Sequence, residues 1–188
     1  IALYIGAASA ILLPLFALVG AGGAMALLAL IAGRTANPAN GIALFTLAGM
    51  MIASLAGALT SLAISLAPNA FAMSSIVTWL MGALTDRSWA DVTLATPLTL
   101  AGLAALWWAR RDLDAMTLGE PAARSLGVSP GRLMALLVVG TGLTVGSGVA
   151  VAGIIGFVGL IVPHLVRPLT DKRPSSLIVP SALAGALL

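Results

Sequence analysis

The sequence predicts an all-α polytopic transmembrane helix bundle, and three observations carry that expectation. Charged residues make up 8% of the chain and hydrophobic ones 60%, with a mean hydropathy of +1.12. A soluble domain holds about 25% charged residues. The apolar residues gather into runs near the roughly 20 residues that a helix needs to cross about 30 Å of hydrocarbon. The Lys and Arg fall in alternate connections between those runs, as expected of a chain threaded with its basic loops in the cytoplasm. The lack of Cys excludes disulfides, thiolate metal sites and cysteine nucleophiles. With no initiator Met before Ile1 and an apolar stretch over 182–188, the chain reads as an interior piece of a longer membrane protein.

Cutting at charges and turn clusters gives seven segments. Residues 1–13 form the first, ended by Pro14, and 15–33 the second. The polar turn "RTANPANG" occupies 34–41, and the third segment runs over 42–67. Residues 68–90 are a longer connection holding the short run "SSIVTWLMGAL" at 74–84, then "TDRSW". The fourth segment is 91–108, a polar cassette covers 109–132, and the fifth is 133–151. A sixth, "GIIGFVGLIVPHL" at 153–165, is too short to cross a bilayer unaided, and a seventh begins at 177 after "RPLTDKRPSS". On this count Arg34, Arg110, Arg111, Arg124, Arg132, Arg167, Lys172 and Arg173 share one face, leaving only Arg87 on the other. Eight of the nine basic residues are thus cytoplasmic, so the net charge of +3 is a topology signal and not a nucleic-acid footprint.

Trp79, Trp89, Trp107 and Trp108 lie near segment ends, where their rings anchor at the lipid interface. Small residues recur every fourth position at Gly49, Ala53 and Gly57 and at Gly142, Gly146 and Ala150, which lets helix backbones approach closely. Gly153, Gly156 and Gly159 recur every third residue, so the sixth segment either packs closely at its start or begins in a loop. No phosphate-binding G-x-x-x-x-G-K-[ST] loop exists, no G-x-S-x-G elbow surrounds Ser147, and His164 lacks a second His or nearby acid. Catalysis, a metal site and a cofactor of the chain's own are therefore not expected. Asp86, Asp91, Asp112, Asp114, Glu120 and Asp171 all fall in connections or at segment ends, so no acid is placed within the membrane to couple transport to an ion.

Three features keep two readings each. His164, after Pro163 and three residues before Arg167, is a half-exposed side chain bonding a neighbouring loop, or part of a hinge or gate loosened by the proline; direct ligation of a haem iron is disfavoured by its place on the cytoplasmic side. Arg87, beside Asp86 on the outer side, forms a solvated pair or meets an acid on an extracytoplasmic partner. The cassette is a solvated loop or a docking knob. Glu120 and Pro121 suit the first turn of a short helix, Arg124 lies four residues on for an ion pair, and Gly127 suits a left-handed cap. Ser129-Pro130 is expected to start a second short helix, and the small residues Ala122, Ala123 and Ser125 suit a groove on another protein.

"TLGEPAARSLGVSPGRL", followed by "VAVAGIIGFVGLIVPHLVR", closely resembles the permease subunits of the FecCD/BtuC family, type II ABC importers for iron-siderophores, haem and vitamin B12. "WLMGALTDRSW" and "GALTSLAISLA" are similar to the same family, so the resemblance covers nearly the whole chain. It implies a single permease domain over 1–188, running from about helix three to helix nine of a ten-helix subunit in the bacterial cytoplasmic membrane. The partners implied are a second permease subunit, two cytoplasmic ABC ATPase subunits that use ATP and Mg2+, a periplasmic substrate-binding protein and membrane lipid. The cassette, about 112–132, takes the place of the coupling helices, with Gly119, Glu120, Ala123, Arg124, Leu126 and Gly127 matching the motif. The third segment then lines the pathway with residues such as Met50, Ser54, Thr60 and Ser61. "RTANPANG", with Asn37 and Asn40, is the cytoplasmic gate, joined by Pro163, His164 and Arg167. Departures from the family pattern are Ile154-Ile155 where many members have Pro, Asp171-Lys172-Arg173 for Asp-His-Arg, and Pro121. The expected cargo is an iron chelate, haem or a ferric siderophore, with cobalamin next. An ion-coupled secondary transporter is the alternative.

Overall fold

The computed structural model describes residues 12–33, 41–85, 87–171 and 173–188. Their regular structure is helical: α1 (Leu12–Gly33), α2 (Gly41–Ser65), α3 (Ala70–Met81), α4 (Trp89–Met116), α5 (Glu120–Ser125), α6 (Pro130–Ala152), α7 (Val158–Val166) and α8 (Pro174–Leu187). A 3-10 turn, Arg167–Leu169, extends α7. Four of these helices contain stretches long and apolar enough to cross a membrane: Pro14–Ile31, Phe45–Ser65, Trp89–Met116 and Pro130–Ala152. A helix satisfies its backbone within one segment, which hydrocarbon demands because no water is present to do so. The hydroxyls of Thr60, Thr96 and Thr144 obey the same constraint, donating to the carbonyls of Ala56, Val92 and Gly140 one turn earlier.

The second to fifth sequence segments are α1, α2, α4 and α6, and the short sixth and seventh are α7 and α8. Most of the first segment, Arg34, Asn37 and Asn40 of the polar turn, Asp86 and Lys172 lie outside the described residues. Several boundaries differ from expectation: α1 takes in Pro14, which does not end a segment, α6 starts at Pro130 and α8 at Pro174, and two differences are larger. α4 continues to Met116, eight residues past Trp108, and absorbs Arg110, Arg111, Asp112 and Asp114. A helix of 28 residues is about 40 Å long, so its polar end overshoots a hydrocarbon layer of about 30 Å. The Arg110 guanidinium lies 3.6 Å over the Trp107 ring there. The connection at 68–90 contains α3, which starts earlier than the run at Ser74 because the Asn69 side chain caps it, accepting from the Ala72 N–H at 2.8 Å.

The chain forms two compact units. The first comprises the described residues up to Thr96 with Val145–Ile154, the second Pro97–Thr144 with Ile155–Leu188. In the first unit α1 packs on α2, and a Cβ on Gly146 would stand 3.2 Å from the Ala21 Cβ. Gly146 and Ala150 are buried, as their spacing suggested. A Cβ on Gly49 or Gly57 would meet nothing within 4 Å and Ala53 is exposed, so the α2 stripe is left open among the described residues. In the second unit the α4 and α6 backbones touch: a Cβ on Gly102 would stand 2.7 Å from the Gly140 carbonyl oxygen. That pair lies on two different helices, where a stripe pattern cannot reveal it. α7 packs on α8. Both readings for the start of the sixth segment hold: α7 begins only at Val158, after Phe157 in the left-handed region at φ 66°, and Gly153 packs closely, a Cβ there standing 2.9 Å from the Gly82 Cα.

Candidate functional site

The cassette is built from local chemistry. α4 closes with the Thr117, Leu118 and Gly119 N–H groups donating to the carbonyls of Asp114, Ala115 and Met116. Gly119 turns the chain at φ 92°, a conformation open to glycine, and its carbonyl accepts from the Ala123 N–H to start α5. Pro121 fits the first turn because the N–H it lacks would have no partner there. Arg124 reaches back one turn to Glu120, Nη2 to Oε1 at 2.7 Å. At the far end the Val128 N–H donates to the Ala123 carbonyl and the Gly127 N–H to that of Arg124, with Gly127 at φ 87°. These are the paired bonds of a Schellman termination, completed by apolar contact between Val128 and Ala123.

A small apolar core holds this turn. Ala109, Ala123, Val128 and Leu133 are buried together, with Leu113, Ala115, Met116, Leu136 and Leu137 around them. The motif residues therefore divide their work: the glycines turn, Ala123 anchors, and Glu120, Arg124 and Leu126 form the outer surface. Leu118 and Leu126, each 66% exposed, flank the tip. Two expectations are corrected here. Ala123 is fully buried in the base of the knob, leaving Ala122 and Ser125 as its small exposed residues. The second short helix does not exist: Pro130 opens α6, whose 23 residues run straight on from the cassette.

At the foot of the cassette Asp114 reaches α8. One carboxylate oxygen accepts from the Ser175 N–H at 2.9 Å and the other from the Ser175 hydroxyl at 2.6 Å. A recess of about 470 Å³ beside this contact is lined by Asp114, Ala115, Thr117, Leu118, Arg173 and Pro174. The contact brings the basic connection after α7 to the same end of α4 as the cassette, as the distribution of Lys and Arg requires. Sequence reading missed the pair, because Asp114 falls in the last turn of a helix only once α4 is seen to run on to Met116. An acid in the last turn of a helix opposes the helix dipole and needs a partner elsewhere. Pro163 lies inside α7, with Val162 and Val166 buried and His164 and Arg167 exposed one turn apart.

Arg87 is also engaged within the chain. Its guanidinium donates to the Val151 carbonyl at 2.7 Å and to that of Thr85 at 3.0 Å. The Val151 carbonyl belongs to the last turn of α6, where such groups lack helical partners and a cation suits the dipole. Beside it Ser88 and Asp91 form a reciprocal cap that starts α4. Gly82 and Gly153 complete the junction: both have positive φ, and the Ala83 N–H donates to the Ala152 carbonyl at 2.8 Å. On α2, Met50, Ser54 and Ser61 fall within about 40° of one another around the helix axis, with Thr60 about 80° from Met50. Met50, Ser54 and Ser61 are exposed. Among the described residues no three His, Cys, Asp or Glu side chains gather as a metal site would need.

Fold and site together define a multi-pass α-helical membrane protein with a structured knob between two of its long helices. The FecCD transport family model matches residues 1–188, and the chain belongs to that family. It is similar to an uncharacterized ABC transporter permease protein, YvrB, of Bacillus subtilis, with 40% identity over 81% of this chain and 43% of the relative. It is similar to the cobalamin import system permease protein BtuC of Halobacterium salinarum, with 34% identity over 96% of this chain and 50% of that one. The Fe(3+) dicitrate transport system permease protein FecD of Escherichia coli shares 35% identity over 94% of this chain and 53% of its own length. A solved inward-facing structure of a metal-chelate type ABC transporter superposes with a TM-score of 0.73 and 33% identity, over 78% of this chain and 48% of that one. The chain thus spans about half the length of the relatives it matches.

Proposed function

We propose that the chain forms part of the membrane-spanning permease of an ATP-driven importer, which carries a bulky metal chelate inward across the cytoplasmic membrane. The observation that carries this reading is the α5 knob, a turn braced by its own core and ending in exposed Leu118, Arg124 and Leu126, in a chain matched by the FecCD model throughout. A second permease copy, two ATPase subunits and a periplasmic binding protein complete the machine. ATP and Mg2+ act in the ATPase, which pushes α5 and switches a two-state pathway between outward and inward openings. Gly119, Glu120, Ala123, Arg124, Leu126 and Gly127 transmit that push. Asn37, Asn40, Pro163, His164 and Arg167 form the gate region, and Arg87 orients the binding protein.

Met50, Ser54, Thr60 and Ser61 give the pathway a wall of thioether and hydroxyl groups without charge. Such a wall releases a large ligand instead of holding it, leaving affinity to the binding protein. Relatives named for cobalamin and for ferric dicitrate support a metal chelate as cargo, and iron chelates such as haem or a ferric siderophore are the preferred class. The test is uptake into liposomes carrying the full-length chain and its ATPase, with binding protein outside and ATP inside. Haem, ferric dicitrate, a ferric siderophore and cobalamin are compared side by side. Preferential uptake of an iron chelate is expected; uptake of cobalamin alone would overturn the iron assignment, and uptake of none would sink the importer reading.

A further inference from the structure

Asp114 occupies a position that its own helix disfavours. It lies in the last turn of α4, at the negative end of the dipole. Its partner is the start of α8. Arg173, the residue before that helix, supplies no side-chain cap, and Pro174 has no N–H to give. Ser175 therefore carries the first α8 N–H in need of an acceptor. Asp114 provides that acceptor from another element, 61 residues away in sequence, and takes the Ser175 hydroxyl with its second oxygen. A carboxylate at a helix start is favoured by the dipole, and a bond to a charged group is roughly twice as strong as a neutral one.

The same residue faces the cassette. The Asp114 carbonyl accepts from the Thr117 N–H at 3.1 Å and from the Thr117 hydroxyl at 2.7 Å, closing the turn that leads to Gly119 and α5. Its neighbours Leu113, Ala115 and Met116 pack on the cassette core. A recess lined by Thr117, Leu118, Arg173 and Pro174 lies beside this point, and the two hydrogen bonds to Ser175 join the two elements next to it. Beyond Ser175, α8 packs on α7, which carries Pro163 and His164. We infer that Asp114 is a positioning residue of the ATP-driven step: it makes α8, and α7 with it, follow the cassette when α5 is displaced. The inference rests on the importer function proposed above.

The full-length chain, with its ATPase and binding protein in liposomes, supports the test through Asp114→Ala, Asp114→Asn and Ser175→Ala. Loss of two bonds to a carboxylate is expected to lower the number of molecules imported per ATP hydrolysed about ten-fold in Asp114→Ala. Copurification of the ATPase and its hydrolysis rate stay near wild type. Asp114→Asn, which keeps an oxygen for the Ser175 N–H, recovers most of the ratio. Spin labels at Thr117→Cys and Val179→Cys, in a full-length background with any other cysteines replaced by serine, read the link without transport. Their separation stays constant on ATP addition in the wild-type background and changes with Asp114→Ala. An unchanged import ratio and label distance in Asp114→Ala would overturn the inference while leaving the importer intact. Joint loss of uptake, hydrolysis and copurification in all three variants would reduce Asp114 to a fold residue. A wild-type complex without ATP-driven uptake would remove the proposed function and this inference together.

Discussion

Arg124→Glu combined with Gly127→Leu in the full-length chain is expected to abolish ATP-driven uptake and to strip the ATPase from the purified complex, while the helices stay folded. The first change replaces the 2.7 Å bond to Glu120 with two carboxylates one turn apart. That repulsion costs only a few tenths of a kcal/mol in the helix. The second puts a branched side chain at φ 87°, which costs about 1–2 kcal/mol and loosens the closing bonds to Arg124 and Ala123. Both changes fall on exposed positions of the cassette, away from the backbone contact between α4 and α6 at Gly102 and Gly140. Copurification with the ATPase, read beside helical circular dichroism, separates docking from folding. Undiminished copurification would deprive the knob of its coupling role.

Gly153→Val is expected to lower the thermal midpoint of the detergent-solubilised protein by about 10 °C, from a cost on the order of 3 kcal/mol or more. Gly153 has φ 76°, and a Cβ there would run into the Trp79 carbonyl oxygen and stand 2.9 Å from the Gly82 Cα. Gly82 is equally constrained, with φ 65° and the Ile154 carbonyl oxygen 2.6 Å from where its Cβ would be. Backbone meets backbone at this junction, so no side chain can move aside. The bonds from Arg87 to Val151 and from Ala83 to Ala152 lie next to it and would be lost in the same distortion. An unchanged midpoint would show that the close approach contributes nothing to stability.

What the sequence reveals follows the range of the interactions. α1, α2, α4 and α6 are legible because each buries its backbone within one apolar run. The Glu120–Arg124 pair, the Pro121 start and the Gly127 stop are legible because each is settled within about one turn of helix. The polar end of α4 is not, since the first charges mark where the membrane ends and not where the helix ends. Pro130 announces a helix start but not its length, which is why the opening of α6 reads as a short helix. Ala123 reads as an exposed small residue because α5 has fewer than two turns, too few for periodicity to tell its faces apart. The long-range contacts, Asp114 with Ser175 in one unit and Arg87 with Val151 in the other, span 61 and 64 residues and pair groups with no local signature of one another.

The most direct test of the central claim asks what drives transport. Liposomes carrying the full-length chain and its ATPase are given binding protein and cargo outside, with ionophores present to collapse every ion gradient. Uptake that needs hydrolysable ATP inside and survives the ionophores is expected. Uptake that follows an imposed ion gradient and ignores ATP would contradict the claim.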